Sequence, residues 1–180
     1  MKKFIFLFTC CLIATIGLTQ ENVLTILPLK DGKVNYSGVV NVDSVNKTEL
    51  YNRAKHWLVE TYKSAKDVIQ IDDKENGEVI GKVFFEIYWT NTFYSGLNIN
   101  IWHTLKIQVK DGRFRYEITD FSVKYSYIYH GLNYVDAPLE TWNSARPENL
   151  KKVLLHVDEK MQEMVLSLKN YMKKPMNNNW

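Results

Sequence analysis

The alternation of apolar and polar positions predicts that strands form most of the chain. Apolar residues occupy every second position in four stretches, which are residues 34–42, 79–89, 99–109 and 114–129. A shorter apolar stretch, 68–71, precedes the second of these. Because side chains of a strand point alternately to its two faces, the pattern predicts five strands with one buried face.

Two connections between these stretches predict hairpins. The polar residues 72–77 end in a glycine, and Asp111-Gly112 lies directly between two alternating stretches. An Asp-Gly pair favours a type I′ turn, which needs positive φ at both positions. Residues 91–98 and 130–146 follow neither strand nor helix periodicity, so we expect both to be loops.

The last alternating stretch changes phase in its middle. Its apolar positions include Ile118 and then continue from Phe121, three residues later rather than two. One extra residue in the strand would explain the change, and a β-bulge supplies it. We therefore expect a bulge near Thr119 and Asp120.

Two stretches repeat apolar residues at three- and four-residue steps and predict amphipathic helices. The first begins after Asn46, and Glu49 completes a start that resembles a capping box. The second covers 148–173 and ends before Pro175. It would extend ~37 Å at 1.5 Å per residue, against ~40 Å for a strand of twelve residues. This helix can therefore lie along the whole sheet.

The resulting order is strand, helix, four strands, helix. Four consecutive strands favour antiparallel pairing, so the order predicts an α+β fold in which both helices cover one face of the sheet. We expect one domain over residues 34–174, preceded by a lead-in at 20–33 and followed by a flexible tail at 175–180.

The first residues have the pattern of a secretory signal peptide. Lys2 and Lys3 precede an apolar run over 4–18, and small residues follow where a signal peptidase would cleave. The run is shorter than the ~20 residues that a membrane-spanning helix needs. We expect residues 1–19 to be removed, which leaves no stable membrane span and no cysteine.

Composition and charge exclude some classes of partner. The chain has 180 residues, 46% of them hydrophobic, and 23 basic residues against 20 acidic ones. Its net charge of +3 would fall to +1 without the signal peptide. So small an excess argues against nucleic acid as a partner.

A search for catalytic and metal-binding motifs gives no enzyme prediction. The sequence has no nucleophile elbow, phosphate loop, dinucleotide fingerprint or zinc-binding helix motif. The four histidines lie far apart, and the spacing of acidic residues in 72–78 does not fit a calcium loop. We expect no catalytic residue, no metal site and no cofactor.

Aromatic residues near the end of the sheet give the one candidate contact patch. Aromatic side chains with polar groups suit half-wet surfaces that bind sugars, peptides or proteins. Tyrosine is also common in exposed strands for purely structural reasons. The candidate residues are Tyr127, Tyr129, Tyr134 and Trp142.

Three stretches resemble a known family: Leu-Pro-Leu-Lys-Asp-Gly-Lys-Val at 27–34, the helix at 49–57, and the hairpin at 110–116. The family comes from Bacteroides-type Gram-negative bacteria and is a domain of unknown function with a TATA-box-binding-protein-like (TBP-like) fold. The resemblance implies a curved antiparallel sheet with two helices on it, in the order β-α-β-β-β-β-α. It implies no activity, and DNA binding does not follow from a shared fold.

We therefore expect an exported, non-enzymatic binding or accessory module of the bacterial cell envelope, either periplasmic or secreted. Its partner would be an envelope protein, a peptide or a glycan. Two alternatives stay open. One is a small hydrolase-like enzyme with scattered polar residues, and the other is a structural subunit of an envelope assembly.

Overall fold

A computed structural model describes residues 23–62, 68–91, 94–128, 130–142 and 147–174. The predicted signal peptide at 1–19 and the predicted tail at 175–180 lie outside the described residues. So does the stretch 63–67, into which the periodicity of the first predicted helix extends.

The described elements follow the predicted order, with a short separate hairpin before the first strand of the sheet and one more strand before the last helix. The chain begins with one turn of 3-10 helix at Val23–Ile26. The strands and helices are β1 (Leu29–Lys30), β2 (Lys33–Val34), β3 (Tyr36–Asn41), α1 (Lys47–Tyr62), β4 (Ile69–Asp73), β5 (Glu78–Asn91), β6 (Tyr94–Lys110), β7 (Arg113–Ile128), β8 (Leu132–Pro138) and α2 (Pro147–Lys173).

Six strands form one antiparallel sheet in the order β3-β7-β6-β5-β4, and β8 also pairs with β7. Because β6 occupies one side of β7, β3 and β8 share the other side. The first half of β7, Arg113–Ile118, pairs with β3, and Ser122–Ile128 pairs with β8. A separate small hairpin joins β1 and β2.

The predicted β-bulge is confirmed, and it divides β7 between its two neighbours. The register between β6 and β7 pairs Trp102 with Ser122 and Thr104 with Thr119. One residue of β6, His103, therefore faces Asp120 and Phe121. Asp120 has a φ of 55°, and this left-handed backbone accommodates the extra residue. The bulge keeps apolar residues of both halves of β7 on the same face.

One face of the sheet is covered by the two helices, as predicted. The buried side chains of α1 and α2 form one cluster with those of β5, β6 and β7. Several polar contacts connect the helices, two of them from buried side chains of α1. Trp57 Nε1 donates to Ser167 Oγ at 3.1 Å, and Arg53 Nη1 donates to the Met172 carbonyl at 2.8 Å. The other face of the sheet has no helix packed on it among the described residues, and we call it the open face.

The start of α1 is bonded to the β6–β7 hairpin. The Glu49 amide donates to Asn46 Oδ1 at 2.9 Å, which confirms the predicted cap. The Lys47 amide donates to the Asp111 carboxylate at 2.7 Å. Asp111 does not adopt positive φ, although Gly112 does. The hairpin prediction is therefore confirmed, but the predicted type I′ turn is wrong, because Asp111 is oriented as a second cap of the helix.

Two predicted loops are wrong. The predicted loop at 91–98 is largely strand, since β5 continues to Asn91 and β6 begins at Tyr94. The predicted irregular loop at 130–146 contains β8, whose seven residues pair fully with β7. Alternation in β8 is weak because its inward residues are only half-buried, so burial produced no clear sequence pattern.

His103 is an ionisable residue buried in the apolar core. Its side chain is 0% exposed, and its ring stacks on Phe121 at a centroid distance of 5.5 Å. Neither ring nitrogen makes a hydrogen bond of normal geometry among the described residues, although the nearby Ile101 backbone partly opposes the lowering of the His103 pKa. Burial lowers the pKa of His103 to about 4, since a charged imidazolium would lose its hydration.

We predict that His103 makes the fold acid-labile. Below pH 6.5 the unfolded chain binds a proton at His103, whereas the folded chain binds it only near pH 4. The contribution of the neutral His103 to stability is therefore fully present above pH 6.5 and is lost as the pH falls towards 4. Between pH 7.5 and pH 5 this one group should cost about 2 kcal/mol of unfolding free energy, measured by urea denaturation.

His103→Leu should remove that part of the pH dependence, even if it changes stability at pH 7.5. The matched control is His156→Gln, because His156 is exposed on α2. It should keep the wild-type pH dependence. An equal loss of stability on acidification in His103→Leu and wild type would contradict the prediction.

Candidate functional site

The four candidate aromatic residues do not form one patch. Tyr127 of β7 pairs with Asn133 of β8, whereas Tyr134 of β8 pairs with Ser126, the residue before Tyr127. Because neighbouring residues of a strand point to opposite faces, Tyr134 lies on the open face and Tyr127 on the helix-covered face. Tyr129 lies outside the described residues.

Tyr127 and Trp142 belong to a cluster at the rim of the covered face. The ring of Tyr125 lies 6.0 Å from that of Tyr127 and 6.2 Å from that of Trp142, measured between centroids. Trp142 packs against the core, and its buried Nε1 has no hydrogen-bond partner among the described residues. This geometry gives the cluster a packing role.

A further aromatic pair lies instead on the open face. Phe84 of β5 and Trp102 of β6 are directly opposite in the register, and their ring centroids are 4.6 Å apart with an interplanar angle of 33°. Phe84 is 45% exposed although it lies in mid-strand. The two rings form an apolar platform that no described element covers.

Further aromatic and polar groups surround this platform. Tyr88, 68% exposed, lies four residues beyond Phe84 in β5 on the same face, with Glu86 between them on that face. Lys124 Nζ lies 5.7 Å above the Trp102 ring and forms an ion pair with Asp136 of β8 at 2.8 Å. Cations above an indole face are attracted by its π-electrons. Tyr134, 76% exposed, flanks Asp136 on the same face.

The charges of the open face are balanced. Three of its basic residues are each paired with a carboxylate of the same face. The pairs are Lys106 with Glu78, Arg115 with Glu117, and Lys124 with Asp136. A surface of this kind lacks the excess of positive charge by which proteins hold polyanions.

The acidic residues considered as a cation site are bound by protein groups. Asp72 accepts hydrogen bonds from Lys55 and Tyr51. The bond from Lys55 has the larger effect, and together the two bonds hold the pKa of Asp72 below its ordinary range. Asp73 accepts from the Asn76 amide at 2.9 Å. No three His, Cys, Asp or Glu side chains come together as a metal site within the described residues.

A second concave region is a shallow groove of about 410 Å³ between α2, the lead-in and β3. Its floor includes the Tyr116 ring, above which Lys169 Nζ lies at 5.5 Å. Tyr36 borders the groove, but its hydroxyl donates to Asp158 at 2.7 Å, and burial raises its pKa. Its other polar lining residues include Asn35, Ser37 and Gln162, of which Asn35 and Gln162 already donate to carboxylates of the protein.

Sequence reasoning missed the Phe84–Trp102 platform. Both residues occupy outward positions in strands whose alternation was recognised, and an aromatic residue at an outward position was the available signal. Their proximity depends on the register of β5 with β6, which a single sequence does not specify.

Comparison with known proteins identifies the fold. A family described as "Domain of unknown function (DUF4468) with TBP-like fold" matches residues 36–124. A DUF4468 family protein from Bacteroides ovatus ATCC 8483 is similar in structure, with a TM-score of 0.64 and 19% identity over 84% of this chain and 93% of that one. A TBP-like protein from Parabacteroides distasonis ATCC 8503 has a TM-score of 0.57 and 18% identity over 79% and 97%.

No curated protein matches the chain. Neither helix of the described part combines the length and the hydropathy that crossing a membrane requires. The comparisons confirm the predicted family resemblance and fold class.

We predict that the open-face aromatic residues contribute little to folding. Phe84→Ala and Tyr134→Ser should each change the free energy of unfolding by less than about 1 kcal/mol, as exposed substitutions usually do. Phe121→Ala, in the core, should cost about 3 kcal/mol or more. Denaturant unfolding measures both sets, and similar losses in the two sets would show that the platform is structural.

Proposed function

Since this chain belongs to the family of domains of unknown function with a TBP-like fold, we propose a function on the basis of its surface. We propose that the protein is a non-enzymatic module that binds an uncharged glycan of the bacterial cell envelope on the open face of its sheet. The observation that carries this proposal is the Phe84–Trp102 platform on the open face, whose Phe84 ring is 45% exposed.

The platform supports a sugar ligand by its shape and chemistry. A pyranose ring has a flat face of C–H groups that stacks on aromatic rings, while its hydroxyls need polar partners at the edge. Glu86, Lys124 and Asp136 supply such partners around the two rings. The ion pair of Lys124 with Asp136 and the negative charge of Glu86 favour a neutral ligand over an acidic one.

The predicted export signal supports the cell envelope as the source of the glycan. The first residues have the pattern of a signal peptide, with Lys2 and Lys3 before an apolar run. Produced in a Bacteroides host, the chain should be recovered outside the cytoplasm with a new amino terminus near Gln20. Mass spectrometry of the intact protein in the envelope and culture fractions checks this. An uncleaved chain in the cytoplasm would contradict it.

Binding should depend on the two platform rings. Neutral oligosaccharides on a glycan array should retain the protein, and the binding should alter tryptophan fluorescence. Phe84→Ala and Trp102→Ala should each weaken the affinity at least about tenfold, the cost typical of an aromatic anchor. Titration calorimetry with the retained oligosaccharide measures the change.

Leu155→Ala is the matched control, because Leu155 is an exposed apolar residue on α2, away from the sheet. It should bind like the wild type. Failure to bind any neutral oligosaccharide, or binding that both platform variants leave unchanged, would reject the proposal.

A further inference from the structure

The long strand β5 has an unpaired side within the described residues. On the side away from β6, β4 pairs only with the first four residues of β5, Glu78 to Gly81. Before β4, the Val68 carbonyl lies beneath Gly81, so the chain leaves the edge towards the covered face. Residues 82–91 of β5 therefore present their outer backbone groups without a strand partner among the described residues.

This edge lacks the features by which proteins usually prevent strand pairing. Edge strands are commonly short, bulged, interrupted by proline or rich in charge. Residues 82–91 contain no proline and only two charged side chains, Lys82 and Glu86. Pairing with β6 is continuous from Glu78 to Trp89, and the register shifts only at the end of the segment, between Trp89 and Asn91. Phe84, Phe85, Ile87, Tyr88 and Trp89 give it high β-propensity.

We propose that this edge pairs with the same edge of a second copy of the chain, in antiparallel orientation, about a two-fold axis at Ile87. The two sheets then continue into one another. A two-fold axis perpendicular to the sheet pairs residues equally distant from the central one, so helices of both copies stay on one face.

The position of β4 selects the register. An axis at Phe84 would pair Lys82 with Glu86 of the second copy, but everything beyond Glu86 would then run into β4. An axis at Glu86 places two carboxylates opposite each other, which destabilises a cross-strand pair. It also brings Asn91 of the second copy against Gly81, which β4 already occupies.

The axis at Ile87 avoids both conflicts. Residues 83–91 of each copy then pair along nine positions and end before β4. Ile87 faces itself, and Phe85 faces Trp89 of the second copy twice on the covered face. Phe85 and Trp89 are only partly buried in one chain, so pairing removes apolar surface from water. On the open face Glu86 faces Tyr88, with no like charges opposed. The edge is thus complementary to itself.

Cysteine cross-linking tests the register. In a chain carrying Cys10→Ser and Cys11→Ser, Ile87→Cys should form a disulfide-linked dimer on mild oxidation. Phe85→Cys and Trp89→Cys should cross-link when mixed and much less when each is alone. Val39→Cys, exposed on the other edge strand β3, is the matched control and should stay monomeric.

Sedimentation velocity on the wild-type chain should show a dimer fraction that increases with concentration. Trp89→Lys should reduce this fraction at least tenfold while circular dichroism shows an unchanged fold. A wild-type chain that stays monomeric at its highest soluble concentration would overturn the proposal. Cross-linking of Glu86→Cys but not Ile87→Cys would overturn the register, and equal cross-linking of Val39→Cys would show that collisions are random.

Discussion

The β-bulge at Asp120 and Phe121 decides which residues of β7 face the helices and which face solvent. A strand with strict two-residue periodicity would turn Val123 and Tyr125 outwards and Lys124 inwards, towards the core. The extra residue restores the apolar phase and places Lys124 above Trp102. It also marks where β3 stops and β8 begins on the same side of β7. The core and the open face both depend on this irregularity.

The two faces of the sheet have different roles, since the covered face holds the core and the open face is available for contacts. The covered face is closed by α1 and α2, and the start of α1 is bonded to the β6–β7 hairpin through Asp111. This contact sets the position of the helix relative to the longest strands. The open face needs no such closure, because its strands are already paired through their backbones. Its side chains are therefore available to contact other molecules at little cost in stability.

Patterns within a few residues of the sequence predicted the features that periodic burial or a local cap produces. The change of phase between Ile118 and Phe121 located the bulge, and Asn46 with Glu49 located the start of α1, because each leaves a mark within a few residues. The burial of His103 also had a signal, since it lies between Ile101 and Leu105 in apolar phase. Histidine is usually exposed or intermediate, and this tendency obscured the phase.

The features that were missed depend on contacts distant in sequence. The separation of Tyr134 from Tyr127 follows from the pairing of β7 with β8, a strand whose half-buried residues left no clear periodicity. The proximity of Phe84 to Trp102 follows from the register of a long hairpin. The turn at Asp111 changed type because its carboxylate caps α1, far from it in the sequence. None of these is encoded within a short window.

The strand β8 lies beyond the segment that matches the family, which ends at residue 124. It contributes Asp136 and Tyr134 to one face while its own inward residues are only half-buried. Substitutions at the outward positions of β8 therefore disturb the core less than substitutions at the buried positions of β5, β6 or β7 would. The chemistry of these outward positions can change while the packing beneath the helices stays the same.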